Sequence, residues 1–172
     1  MFWGLLLLAV LSIVVMLSIV FSTIYTGISP MPSSSKERLA MLELIEEVPR
    51  RIVVLGSGWG GLAKFFARAY PSVPVQAYEY SIFPFLFSKW TVREPNVQLI
   101  QKNFLQVTLP EEALFLTYLY PAGMIEVRAL LKDKQGWLLS NTFGVHQEIP
   151  IRKIRVDNRH KSYVYLYRLT RG

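Results

Sequence analysis

RIVVLGSGWGG at residues 51–61, followed by AYEY at 77–80, is the stretch whose reading decides the fold. Ile52 to Leu55 is short and largely β-branched, as a strand buried on both faces is. It runs directly into Gly56-Ser57-Gly58-Trp59-Gly60-Gly61, and Leu62 to Ala69 then reads as a helix. Val73 to Tyr78 reads as a second strand, with Glu79 at its carboxyl end, about 20 residues beyond Gly56. Strand, glycine turn, helix, strand, acid is the order of a nucleoside-binding βαβ unit. Glycines let the backbone turn sharply and approach a ligand closely, and the acid accepts hydrogen bonds from ribose hydroxyls.

Downstream, Ile82 to Trp90 reads as a loop that becomes a helix from Pro84. Val97–Gln101 and Ala113–Tyr118 read as the third and fourth strands, Ala122–Lys132 as a helix and Trp137–Thr142 as the fifth strand. Ile151–Val156 and Tyr163–Leu169 alternate like two further strands, joined by Asp157 to Lys161. An alternating chain that ends in a hairpin implies an α/β domain: a Rossmann-like, seven-stranded mixed sheet with one reversed terminal strand and flanking helices.

Upstream, no charged side chain occurs before Lys36. Phe2 to Tyr25 is apolar on every face and as a helix would be about 36 Å long, enough to cross a hydrocarbon core of about 30 Å. A secretory signal would carry a basic start and a shorter apolar core. The expectation is therefore one transmembrane anchor over residues 1–25, a flexible Gly/Pro/Ser linker over 26–35, and a single domain over 36–172. Ser34 and Glu37 have capping-box spacing. The helix they open is expected to place Leu39, Leu42, Ile45 and Val48 on one stripe, to end at Pro49 and to pack on the sheet before the first strand.

All 19 Lys and Arg lie beyond residue 35, and the formal net charge is +7. The positive-inside rule then puts the domain on the cytoplasmic side of a bacterial inner membrane, or of a mitochondrial inner membrane in a eukaryote. On a tethered domain this charge points to anionic headgroups rather than nucleic acid, with the basic carboxyl-terminal hairpin (Arg152, Lys153, Arg155, Arg159, Lys161, Arg168, Arg171) as the facing patch. The chain has no cysteine and two histidines. A disulfide framework and a thiolate metal site are excluded, His146 and His160 read as loop residues, and no metal is expected.

The glycine loop fits both G-x-G-x-x-G and G-x-G-x-G. A flavin or NAD site would need a second glycine fingerprint and a longer chain, and neither is present. S-adenosylmethionine (SAM) asks for less: a loop against which its methionine portion lies, an acid for the ribose, and a residue after the third strand for adenine. Here Gly56, Ser57, Gly58 and Gly60 supply the loop, Glu79 the acid with Tyr80 beside it, and Asn103 with Phe104 the third element. Asn103 is also a natural turn residue.

Residues 37–172 resemble a small class I, seven-β-strand SAM-dependent methyltransferase, most closely the membrane-anchored group that includes mitochondrial protein-lysine methyltransferases and their short bacterial relatives. Leu55 to Gly60, Tyr78-Glu79-Tyr80, Leu114 to Pro121 and Val164 to Arg168 carry the resemblance. It implies a methyltransferase acting on a lysine of a membrane or membrane-near protein, with Tyr118, Tyr120 and Pro121 contacting the acceptor. Methylation of a lipid or small amphiphile, and a non-catalytic SAM-binding or scaffold module, are the alternatives. The chain departs from the group at Val54 and Asn103, where acids are usual, and at Trp59, where an acid is frequent. Gln147 and Glu148 are further candidates for the border of the acceptor pocket.

Overall fold

In the computed structural model of the chain, residues 2–26, 32–158 and 161–171 are described. The elements run α1 (Phe2–Thr26), α2 (Ser35–Glu43), β1 (Ile52–Leu55), α3 (Gly61–Ala69), β2 (Val75–Glu79), α4 (Ile82–Thr91) and β3 (Val97–Gln101). A short 3-10 turn (Phe104–Gln106), β4 (Glu112–Thr117), α5 (Pro121–Leu130), β5 (Gln135–Asn141), β6 (Arg152–Arg155) and β7 (Tyr163–Leu169) follow. The strands form one seven-stranded sheet in the order β3-β2-β1-β4-β5-β7-β6. All neighbours are parallel except β7, which runs antiparallel to both β5 and β6. The expected mixed sheet with a single reversed strand is present.

β1 is central because nothing in it tolerates water. All four of its residues are fully buried, and alternate residues feed opposite faces of the sheet. Ile52 and Val54 join Met41, Leu44, Phe66, Leu114, Leu116, Leu139 and Val164 under α2 and α3. Val53 and Leu55 join Phe115, Leu119, Met124, Val127, Leu131 and Leu138 under α5. Helices on both faces are what a parallel sheet with apolar residues on both sides requires. α4 closes the β2–β3 edge. Its helix begins at Ile82 rather than Pro84, because a proline is tolerated in the first turn, where backbone N–H groups have no intrahelical partner.

α2 departs from expectation. The capping box forms, with the Ser34 hydroxyl accepting from the Glu37 N–H and the Glu37 carboxylate accepting from the Ser34 N–H. The helix nevertheless stops at Glu43, and its inward face is Glu37, Ala40, Met41 and Leu44, while Leu39 and Val48 stand in solvent. It packs against β7, β5 and α3. Glu37 sets this rotation: its other oxygen accepts from the Ser162 hydroxyl at 2.9 Å and the Asn158 amide at 2.9 Å. The last residues of the expected linker are also seated, since the Asn141 amide donates to the Ser33 hydroxyl at 3.1 Å. Residues 27–31 of that linker lie outside the described residues.

α1 carries no charged residue, and its described side chains are exposed around the helix apart from the half-buried Val15. Among the described residues no helix is long and apolar enough to cross a membrane, the side chains of α1 being described only over 2–17 and 20. The described contacts of α1 with the domain include those to α4.

Burial alone would raise the Glu37 pKa, but hydrogen bonds from Ser34, Ser162 and Asn141 outweigh it and hold the carboxyl below its ordinary value of 4.5. A carboxyl depressed on folding contributes stability above its unfolded pKa, and that contribution is lost as pH falls through the folded value. Glu37→Gln should therefore cost about 1–3 kcal/mol at neutral pH, and the deficit should shrink as the pH is taken below 4.5; denaturant titrations across that range measure both. Gly60 has φ +81°, and a Cβ there would meet Val92 Cγ2 at 2.7 Å and Ser88 Cβ at 2.9 Å. Gly60→Ala should cost about 2–4 kcal/mol through left-handed strain and overpacking against α4, read as a lowered Tm.

Candidate functional site at the carboxyl edge of the sheet

The sheet order reverses between β1 and β4, and the carboxyl ends of β1, β2, β3, β4 and β5 meet there. In such sheets the crevice at this switch point is where ligands bind. Gly56, Ser57, Gly58 and Gly60 lie at the end of β1, Glu79 and Tyr80 at the end of β2, and Asn103 and Phe104 just past β3. Tyr118, Tyr120 and Pro121 connect β4 to α5. All the cofactor and acceptor residues expected from sequence thus come to one edge. A separate cavity of about 310 Å³, lined by Val48, Arg50, Glu112, Trp137 and Arg152 among others, lies at the opposite, amino edge.

The glycine loop is held by its acid. Glu79 is buried, and its two oxygens accept from the Gly58 N–H at 2.7 Å and the Ser81 N–H at 2.7 Å. The Ser57 N–H donates to the Tyr78 carbonyl at 2.8 Å, and the Gly60 N–H closes the turn on the Ser57 carbonyl at 3.0 Å. Gly56, Gly58 and Gly60 all have positive φ, which a side chain would strain. Each Glu79 oxygen keeps a second lone pair for a ligand. The Ser57 hydroxyl is buried without a hydrogen-bond partner. A buried hydroxyl in that state costs about 1–3 kcal/mol, and a polar partner that reached it would remove the cost.

Asn103 behaves as the turn residue its type suggests. Its side-chain oxygen accepts from the Leu105 N–H at 3.0 Å and caps the 3-10 turn. Phe104 is buried beside Gly56, among the core side chains of the α5 face. Trp59 lies edge-to-face on Phe87 of α4 at 5.3 Å.

On the β4–β5 side, Tyr118 is half-buried and Tyr120 is partly exposed against Phe143, with ring centroids 5.6 Å apart. Pro121 is the first residue of α5. Burial raises the Tyr118 pKa, and the neighbouring Glu37 and Tyr120 add to this, against a lowering hydrogen bond with Thr142. The phenol therefore stays protonated at neutral pH. Thr142 adopts φ +69°, a strained conformation for a β-branched residue. The Tyr163 carbonyl, accepting from the Thr142 N–H at 2.7 Å, holds it there. Glu37, Asn141 and Thr142 border this side and were not among the residues expected from sequence. The capping-box spacing marks Glu37 as a helix-end residue but not which way it faces.

His146 and Gln147 are exposed, Glu148 pairs with Arg128 of α5, and His160 lies outside the described residues. Among the described residues no group of His, Cys, Asp or Glu is placed to hold a metal ion.

No family model and no curated protein matches the chain. Solved structures do. An RNA methyltransferase from Salinibacter ruber, in complex with S-adenosyl-L-homocysteine, superimposes with a TM-score of 0.72 at 20% identity, covering 83% of this chain and 95% of that one. The N-methyltransferase NodS from Bradyrhizobium japonicum matches at 0.59 and 12% identity, covering 77% and 93%. A SAM-dependent methyltransferase from Geobacter sulfurreducens, also with S-adenosyl-L-homocysteine, matches at 0.53 and 17% identity, covering 65% and 49%. The fold of this chain is that of the class I SAM-dependent methyltransferases.

Ser57→Ala separates a binding role from a packing role. It should leave the ligand-free protein as stable or slightly more stable, because an unpartnered buried hydroxyl is removed. If Ser57 meets the cofactor, SAM affinity should fall by about 0.5–1.5 kcal/mol. Thermal melts and calorimetry on the same preparation check the two halves.

Proposed function

We propose that the protein is a SAM-dependent methyltransferase, held at a membrane by α1, that methylates a lysine amine of a membrane or membrane-near protein. The observation that carries the cofactor assignment is the carboxyl-edge cradle, where the glycine loop is pinned by Glu79 and the Ser57 hydroxyl is buried without a partner. Ser57, Gly58 and Glu79 would hold the cofactor, with Phe104 packed beside Gly56. SAM supplies an electrophilic methyl group, so the protein has chiefly to align a nucleophile and exclude water.

The aromatic group of Tyr118, Tyr120 and Phe143 suits an amine acceptor, which such rings attract and orient. A protonated Tyr118 hydroxyl can position that amine but is too weakly acidic to serve as a base near neutral pH. The absence of charge in α1, with Lys36 and Arg38 following it, supports an anchor with the domain on the cytoplasmic side. A second reading, an RNA acceptor, draws on the formal net charge of +7 and on the Salinibacter protein being an RNA methyltransferase.

Glu79→Ala should weaken SAM binding by about 1–3 kcal/mol, through lost loop order as well as any lost ribose contact. Calorimetry that shows tight NADH or FAD binding and no response to SAM would overturn the reading. Methyl-labelled SAM added to membranes with and without the protein resolves the acceptor. Label in a protein band supports the lysine proposal, label in extracted lipid supports an amphiphile, and label in RNA supports the second reading.

A further inference from the structure

α4 is apolar on both sides. Pro84, Phe85 and Ser88 turn inward, toward β2, β3 and Gly60. Ile82, Leu86 and Trp90 recur every fourth residue along the outside, at 55%, 54% and 70% exposure, with Phe87 beside them. Trp59 extends the same surface by stacking edge-on against Phe87, which also meets Trp90 at 6.2 Å. A helix buried on one face normally presents charge on the other, and contiguous exposed aromatic and aliphatic side chains mark a surface that is covered in use.

We infer that the outer face of α4 lies in the bilayer interface, as a second membrane contact in addition to α1. Three observations select lipid as the occupant. First, the described contacts of α1 with the domain include α4, so the helix assigned to the anchor meets the element that carries this face. Second, between Tyr80 and Arg93 there is no acidic residue, and the cations Arg93 and Lys89, the latter also lying over the Phe85 ring, are exposed at the rim. That is the charge an anionic leaflet complements, on a helix with tryptophan at its edge. Third, the basic hairpin expected to face the headgroups is at the opposite edge of the sheet, and much of its charge is engaged within the protein. Arg152 pairs with Glu46, Arg171 with Glu111, Lys153 sits over the Tyr163 ring and Arg168 over the Trp137 ring. Because Gly60 packs directly on Ser88, a membrane-seated α4 would place the glycine loop next to the bilayer, so that acceptors reach the site from the membrane surface.

This inference rests on α1 being an anchor, and the chain allows the two to be tested apart. With no native cysteine, Leu86→Cys, Val10→Cys and Lys132→Cys can each carry one nitroxide in the full chain, reconstituted in bilayers of phosphatidylcholine and phosphatidylglycerol. Collision with oxygen and with a water-soluble nickel chelate reports depth. The Leu86 label should show several-fold less nickel accessibility than the Lys132 label and a depth of about 5–10 Å below the headgroups, with Val10 deeper. Leu86 as accessible to nickel as Lys132, while Val10 is protected, overturns the inference and leaves the anchor standing. Leu86 and Val10 both accessible overturns both. Leu86 protected with Val10 accessible overturns α1 as the anchor, and with it the inference that α4 is a contact in addition to α1. Spin–spin broadening at Leu86 that disappears on dilution with unlabelled protein would assign the face to a second copy and overturn lipid as its occupant.

Discussion

The hydrogen bonds from the Gly58 and Ser81 backbone to the Glu79 carboxylate are the constraint on which the rest of the site depends. A loop whose three glycines sit at positive φ has much conformational freedom to lose, and glycine loses more than any other residue on ordering. Charge-assisted hydrogen bonds of about 1.5–3 kcal/mol each, made in a buried setting, offset that loss. Glu79 can supply them only from the carboxyl end of β2, and β2 is held there by its register with β1, in which Tyr78 is opposite Leu55. Sheet, acid and loop therefore form one mechanical unit, and it carries the buried, unpartnered Ser57 hydroxyl.

A second buried carboxylate organises the other half of the crevice. Glu37 ties the start of α2 to Ser162 and Asn158, on either side of the β6–β7 turn, and helps hold the neighbouring Tyr118 phenol in its protonated form. Here Thr142 accepts backbone strain. Strain of that kind persists only where surrounding bonds over-determine it, and the Thr142–Tyr163 bond between β5 and β7 is one such restraint. The glycine-loop side is thus ordered by backbone bonds to one acid, and the Tyr118 side by side-chain bonds to another.

Much of the fold was legible in the sequence. β1, β3 and β7 have the boundaries that their patterning predicts: β1 is an unbroken apolar run buried on both faces, β7 belongs to the closing hairpin, and β3 is a partly exposed strand at the sheet edge. The glycine loop was legible for a related reason: positive φ and close packing on α4 restrict those positions to one residue type. α2 was misread because its apolar residues permit two stripes. The one containing Leu39 and Val48 is the more hydrophobic, yet the helix buries the stripe containing Glu37. Nothing local distinguishes them, since the partners of Glu37 are more than a hundred residues away. Asn103 is expected from sequence as an adenine contact, with a turn role as the alternative, and the structure shows its local capping bond to Leu105.

The sequence by itself determined the order of elements, the glycine loop with its acid and the amino-terminal apolar helix, because each is written in residue types that local geometry demands. Tertiary structure alone decided which face of α2 is buried, that both Glu79 oxygens are bound by backbone, and that the outer face of α4 is left exposed. Those outcomes depend on which distant groups arrive at the same place. Burial is a property of the assembled sheet and helices, not of any segment read in isolation.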